Sequence, residues 1–183
     1  MRDLSLHLLD ILTNSISADA SHIRIRIHAD HLKDLLTIRI EDDGKGMSPD
    51  FLKKVTDPFS TTRTTRKVGL GLSLIKEAAD ITGGRLAIHS VLGEGTTVTA
   101  TFVISSIDRI PIGNTGETLS GLISSYPACD FAVTFSNDQG QESGLDTVDL
   151  KDRLGEVPLS SPDVYVFVRD YIHEQQQIIL GGI

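Results

Sequence analysis

Cysteine is almost absent: Cys129 stands alone in 183 residues. A single thiol cannot form an intrachain disulfide, and this chain alone cannot build a cysteine-ligated cluster or zinc site. The residue reads as a small packing group. No apolar run approaches the roughly 20 residues that span a bilayer, and no signal-peptide pattern opens the chain. The expectation is a soluble, cytoplasmic protein with no membrane span. Cations are in deficit, 17 Lys and Arg against 25 Asp and Glu, for a net charge of -8. That deficit argues against a sequence-independent grip on nucleic acid or on an anionic membrane. It leaves room for a site that binds a phosphorylated small molecule, which needs only local amides and cations. Internal repeats and low-complexity tracts are lacking as well.

What is there begins with a helix. Leu4, Leu8, Ile11 and Leu12 recur at helical spacing and face a core. Asp3, His7, Asp10, Asn14 and Ser17 form a second, polar stripe on the same helix. HIRIRIHA and LTIRIED then alternate strictly, predicting two strands of a half-buried antiparallel sheet. DDGKGM interrupts the periodicity. Ser48 and Pro49 open a short helix, SPDFLKKV. DPFSTTRTTRKVGLGL reads as a loop running into a helix, LSLIKEAADITGG, that stops at Gly83 and Gly84. RLAIHSV and TVTATFVI, joined by LGEGT, read as a second hairpin. From about residue 107 the pattern is a helix near 117–125, a hairpin turning at 137–140, and a final helix opened by Ser161 and Pro162. Val164, Val166, Phe167 and Ile172 are its expected contact residues.

Two glycine boxes punctuate this order. DDGKGM places Asp42 after a strand, with Gly44 and Gly46 two apart, where the backbone can approach a planar ligand. Gly69 and Gly71 precede a helix, where amides and the positive dipole end favour phosphate. Either box alone is a weak signal. Their order is more specific. DILTNSISADA on the first helix, then DDGKGM, DPFSTT, GLGLSL and GEGTT, resembles the GHKL family of gyrase B-like, chaperone-like, histidine-kinase and mismatch-repair ATPases. The resemblance covers residues 3–104. It implies an α+β fold, a two-layer α/β sandwich (the Bergerat fold) with a mixed, mostly antiparallel sheet. The division expected is an ATP-binding domain over residues 1–106 and a small helix-hairpin-helix appendage over 107–183.

The resemblance also implies roles. Asn14 matches the asparagine that helps coordinate magnesium on the triphosphate; an amide oxygen suits a hard cation. Asp42 matches the acceptor for the adenine amino group. Gly44 and Gly46 let the loop close on the base, and Met47 flanks it. Phe59 precedes the ATP lid; Gly69, Gly71 and Leu72 form the second glycine box. Thr96 and Thr97 lie near the adenine side, with plain packing the alternative for Thr97 and for Met47. The lid, residues 60–68, carries Arg63, Arg66 and Lys67, which either neutralise phosphate charge or are solvated loop charges. Asp10 stands where the hydrolysing branches carry a glutamate general base. As a shorter carboxylate it is a base, a neighbour of the magnesium or a polar packing group. Ser17 departs from both the kinase and the ATPase patterns.

His7 is too close to the nucleotide site to be a phosphoacceptor, and His22, His28, His31, His89 and His173 lack that context, so phosphorylation on histidine in cis is not expected. Three functions remain: a Mg-ATP-binding switch or slow ATPase acting on a partner protein, a serine protein kinase of the anti-sigma type, or a non-catalytic ATP-sensing subunit. The opening helix and lid also look like a group encoded beside iron-only hydrogenase subunits, which implies a hydrogenase partner.

Overall fold

Alternating strands and one-sided helices assemble into two layers in the structure, a computed structural model that describes residues 3–56 and 70–183. The elements are α1 (Leu4–Ser17), β1 (His22–Asp30), β2 (Leu35–Asp42), α2 (Pro49–Thr56), α3 (Leu70–Ile81), β3 (Arg85–Val91), β4 (Gly95–Val103), α4 (Thr115–Ser125), β5 (Asp130–Asn137), β6 (Glu142–Asp146), α5 (Thr147–Leu154) and α6 (Pro162–Leu180). Six strands form one sheet in the order β3-β4-β2-β1-β5-β6. Every neighbouring pair is antiparallel except β1 and β5, which run parallel.

Alternation decides which side chains the helices cover. Ile23, Ile25 and Ile27 of β1 are at most 1% exposed, as are Ile38 and Ile40 of β2, while Arg24, Arg26 and Arg39 between them face solvent. In the helical layer α3 packs on β3 and β4, α1 lies between α3 and α4, and α6 packs on β5 and β6. Phe102, Phe131 and Phe135 are fully buried; each such side chain contributes roughly 1.5–3 kcal/mol of hydrophobic stabilisation. The core runs without a break from Leu4 to Leu180.

Helix ends follow their local chemistry. Asp3 caps α1 by accepting from the Leu6 amide at 3.1 Å, and Asn114 caps α4 by accepting from Glu117 at 3.0 Å. Ser161 makes no side-chain cap bond; α6 starts with Pro162, whose missing N–H needs no partner.

The C-terminal segment holds more than the expected helix, hairpin and helix. α5 follows β6 directly, capped by Asp146, which accepts from Val148 at 2.8 Å. The β5–β6 hairpin extends the same sheet through β1. On α6, Val164 and Ile172 are buried as expected, together with Val168 and Ile179, but Val166 and Phe167 are about half exposed. Helical spacing allows one apolar stripe to face the sheet, and those two residues lie beside it. No helix of the described residues is long and apolar enough to cross a membrane.

Candidate functional site

Asp42 ends β2 and is committed on both carboxylate oxygens. Oδ2 accepts from the Ser15 hydroxyl at 2.6 Å, and Oδ1 accepts from the Gly44 amide at 3.0 Å. Ser15 is buried on α1, adjacent in sequence to Asn14. One helix therefore orients the aspartate and presents the asparagine. The loop that follows is tied down at each step. Asp43 accepts from the Ser21 and His22 amides at 2.7 and 2.8 Å. Burial pushes its carboxyl upward, but these bonds and the His22 ring hold it below the usual carboxylate range. Gly46 sits at φ +62°, and a Cβ there would lie 2.0 Å from the Val91 carbonyl oxygen. Only glycine takes this conformation with the β3–β4 turn pressed so close.

The cavity beside Asp42 has a volume of about 310 Å³. Its polar wall includes Asn14, Ser15, Asp42, Lys45 and Thr96; its apolar wall includes Ile11, Met47, Phe51, Val55, Leu72 and Val98. A mostly apolar slot with a few placed polar groups is the usual form of a small-molecule site. Thr96 is the strand partner of Asp42. Its hydroxyl lies 2.8 Å from that of Ser90, which also accepts from the Met47 amide at 2.8 Å. Ser90 thereby joins the glycine loop to the strand carrying Thr96.

Of the residues singled out from sequence, Asn14, Asp42, Gly46, Met47, Leu72 and Thr96 come together around this cavity, with Gly44 bonded to Asp42. Thr97 does not join them: alternation along β4 turns it to the open face, opposite Glu41 and His89. Asp10 is not in the cavity wall; it lies against the first turn of α3, where a Cβ on Gly71 would be 2.8 Å from the Asp10 Cβ. Gly71 thus lets the two helices approach at the carboxylate. Phe59, Arg63, Arg66, Lys67 and Gly69, with the whole lid over 60–68, lie outside the described residues. Sequence reading missed Ser15, in the cavity wall, and Ser90, which ties Met47 to Thr96. Ser15 stands on the core side of α1, and Ser90 alternates in phase with Ile88, so each reads as packing.

Burial also shifts the titration of His7 and Cys129. His7 is 3% exposed on α1, and burial lowers its pKa against the opposing pull of Asp10 and Asp3. Its Nδ1 has no hydrogen-bond partner among the described residues. Burial pushes the Cys129 thiol up to about 11, which leaves it unreactive near neutral pH. No group of three or more acids, histidines or cysteines suited to a metal ion occurs among the described residues.

Comparison with known proteins bears on this arrangement. Residues 2–105 match the family described as histidine kinase-, DNA gyrase B- and HSP90-like ATPase. The chain is 32% identical over 111 residues to the non-motile and phage-resistance protein of Caulobacter vibrioides, covering 56% of this chain and 13% of that protein. It is 32% identical over 108 residues to the sensor histidine kinase WalK of Bacillus subtilis, covering 55% and 18%. It is 37% identical over 93 residues to the signal transduction histidine-protein kinase AtoS of Escherichia coli, covering 50% and 15%. The chain therefore spans less than a fifth of the length of these relatives. The fold is similar to the Aquifex aeolicus MutL ATPase domain complexed with ADP, at a TM-score of 0.51 and 14% identity, covering 93% of this chain and 70% of that one. It is also similar to the N-terminal domain of a DNA repair protein, at a TM-score of 0.58 and 17% identity, covering 80% and 53%. With more than half of its residues matched in sequence and the layered sheet matched in space, the chain belongs to the histidine kinase-, DNA gyrase B- and HSP90-like (GHKL) ATPase family.

Proposed function

We propose that the chain binds Mg-ATP in the cavity beside Asp42 and works as a nucleotide-dependent switch or slow ATPase on a partner protein. The double anchoring of Asp42 carries this reading. Ser15 and Gly44 each take one carboxylate oxygen, and an ionised carboxylate still has lone pairs to accept from an amino group. Adenine offers an amino donor at that edge, where guanine offers a carbonyl oxygen that the carboxylate repels. The ADP held by the MutL ATPase domain and the sensor kinases among the relatives support the nucleotide and a protein partner in general terms. The hydrogenase association rests on the sequence resemblance alone.

In this reading Asn14 would hold the magnesium that comes with the triphosphate, and the ion would neutralise phosphate charge. The first turn of α3 directs amides at the phosphates. Asp10, against that turn, serves as the base for an attacking water. Calorimetry with Mg-ADP and Mg-GDP tests the site. Wild type should prefer ADP, and Asp42→Asn should weaken ADP binding by about 1.5–3 kcal/mol, the worth of a hydrogen bond to a charged group. Unchanged affinity in that variant would refute the adenine assignment. Asp10→Asn should keep ADP affinity and lose turnover; turnover at the wild-type rate would remove Asp10 as the base.

A further inference from the structure

The face of the sheet opposite the helices carries an arrangement that stability alone does not favour. Arg26 of β1 stands directly opposite Arg39 of β2, and Arg24 opposite Glu41. Like charges facing each other across two strands destabilise a sheet. Glu41 relieves part of the conflict. It accepts from Arg26 at 2.9 Å and from Arg39 at 2.7 Å, and lies 3.8 Å from Arg24. One carboxylate among three guanidiniums leaves cationic charge in excess. The three side chains remain 46–55% exposed, with donor capacity that Glu41 does not use.

The surroundings suit close approach. Along the same row Arg39 is flanked by Thr99 and then Ala87, and Arg26 by Thr134 and then Gly144. A cationic ridge thus rises from a platform of small side chains. The next row adds Arg85, Thr101, Thr37 and His28. Acids cluster at the Arg24 end of this face, where Arg24 lines a pocket with Asp43, Glu94, Asp130 and Asp146, so the cationic excess centres on Arg26 and Arg39. Asp43 and Asp130 gather at that end around His22, with Asp130 paired to Lys151 at 2.6 Å. Glu142 and Asp146 belong to the edge strand β6. In a chain of net charge -8, this ridge is a local cationic field on the side away from the nucleotide cavity.

We propose that this face docks an acidic segment of a protein partner, with Arg26 and Arg39 taking its carboxylates. Planar guanidiniums bind carboxylates in parallel pairs and are the cations enriched at protein interfaces. The net negative charge of the whole chain repels a long polyanion such as nucleic acid, whereas a short acidic segment meets only the local field. The docking face and the adenine site share one strand, since Glu41 and Asp42 are neighbours that point to opposite sides of β2. Both ligands can therefore be bound at once, and the docking does not depend on the nucleotide reading.

The test uses the full chain and a fluorescent oligo-glutamate peptide, followed by anisotropy at low and high salt. An oligo-thymidine strand of equal charge and inorganic phosphate serve as competitors. Wild type should bind the peptide, with binding weakened by salt. The double variant Arg26→Gln/Arg39→Gln should lose roughly tenfold or more in affinity, as expected for removed charge-assisted bonds. Arg153→Gln, a neutralisation on α5, should change it less than about twofold. Thermal melting of each variant checks the fold, and Arg39→Glu offers a second route, because it should abolish binding if the first double variant melts early. Equal affinity in wild type and the ridge variants would overturn the proposal. So would an absence of peptide binding, or displacement of the peptide by phosphate or by the oligonucleotide at lower concentration than by unlabelled peptide.

Discussion

The two ends of the sheet use their polar side chains differently. Around β2 and β4 they converge on a cavity: Ser15 and Gly44 position Asp42, and Ser90 positions Thr96 and the Met47 amide. Around β5 and α6 they satisfy one another inside the protein. Gln176, 4% exposed, accepts from the Thr115 hydroxyl at 2.6 Å and donates to the Gly113 carbonyl at 2.9 Å. Asn137 donates to the Ile179 carbonyl at 2.9 Å and accepts from the Gln139 and Gln141 amides. The Thr147 hydroxyl accepts from the Phe131 amide at 2.8 Å. The polar groups of the first region border a cavity and those of the second hold their own backbone, although one sheet and one core serve both.

That contrast is best broken where the core is shared. Phe135→Ala, in the middle of β5, should cost about 3–5 kcal/mol. The three tyrosines, Tyr126, Tyr165 and Tyr171, all lie beyond residue 107, and the chain has no tryptophan. Tyrosine fluorescence therefore reports the C-terminal region, and a fluorescent ATP analogue reports the cavity. Coincident urea transitions, both shifted by Phe135→Ala, are expected if the regions unfold as one unit. Separate transitions would instead support an independent domain ending near residue 106.

Gln176→Ala should cost about 1–3 kcal/mol of stability, because the buried Thr115 hydroxyl loses its acceptor. Its ADP affinity should match wild type by calorimetry. Ser15→Ala should differ by reaching the site: it frees Asp42 from one anchor and should lower ADP affinity by about 1 kcal/mol, roughly fivefold, beside any loss of stability. If Ser15→Ala lowered stability as much as Gln176→Ala without touching affinity, the division of labour between the regions would fail.

The smallest expected effect is a pH dependence. His7 takes up a proton more readily in the unfolded chain, since burial lowers its folded pKa. Stability should then fall as pH drops below the ordinary histidine value of about 6.5 and level off below the folded value. His7→Gln should flatten melting temperature against pH in the window just below that value. A slope there identical to that of wild type would exclude His7 as its source.

Much of the sheet was legible because β1 and β2 alternate without a break. The register between strands was not. Thr96 and Thr97 both sit in GEGTT, and only the pairing of Asp42 with Thr96 shows which one faces the cavity. The parallel pairing of β1 with β5 joins segments about a hundred residues apart, which no local pattern reveals. α5 escaped notice because its eight residues follow the last strand without a linker. At the site, the Asp-Gly-Lys-Gly loop and the asparagine helix stood out by motif. Ser15 and Ser90 did not, because a serine that orients another residue has the same spacing as one that merely packs.

The place of β1 in the sheet has a consequence for a chain still being made. β1 to β4 are complete by Val103, but the strand that covers the outer edge of β1 begins only at Asp130. At typical rates of synthesis the ribosome takes roughly a few seconds to supply it. Until then a nine-residue strand rich in isoleucine presents open amides and carbonyls, the usual template for unwanted pairing with other chains. The arginines that alternate with those isoleucines then act as gatekeepers, keeping newly made copies apart until Asp130–Asn137 closes the edge.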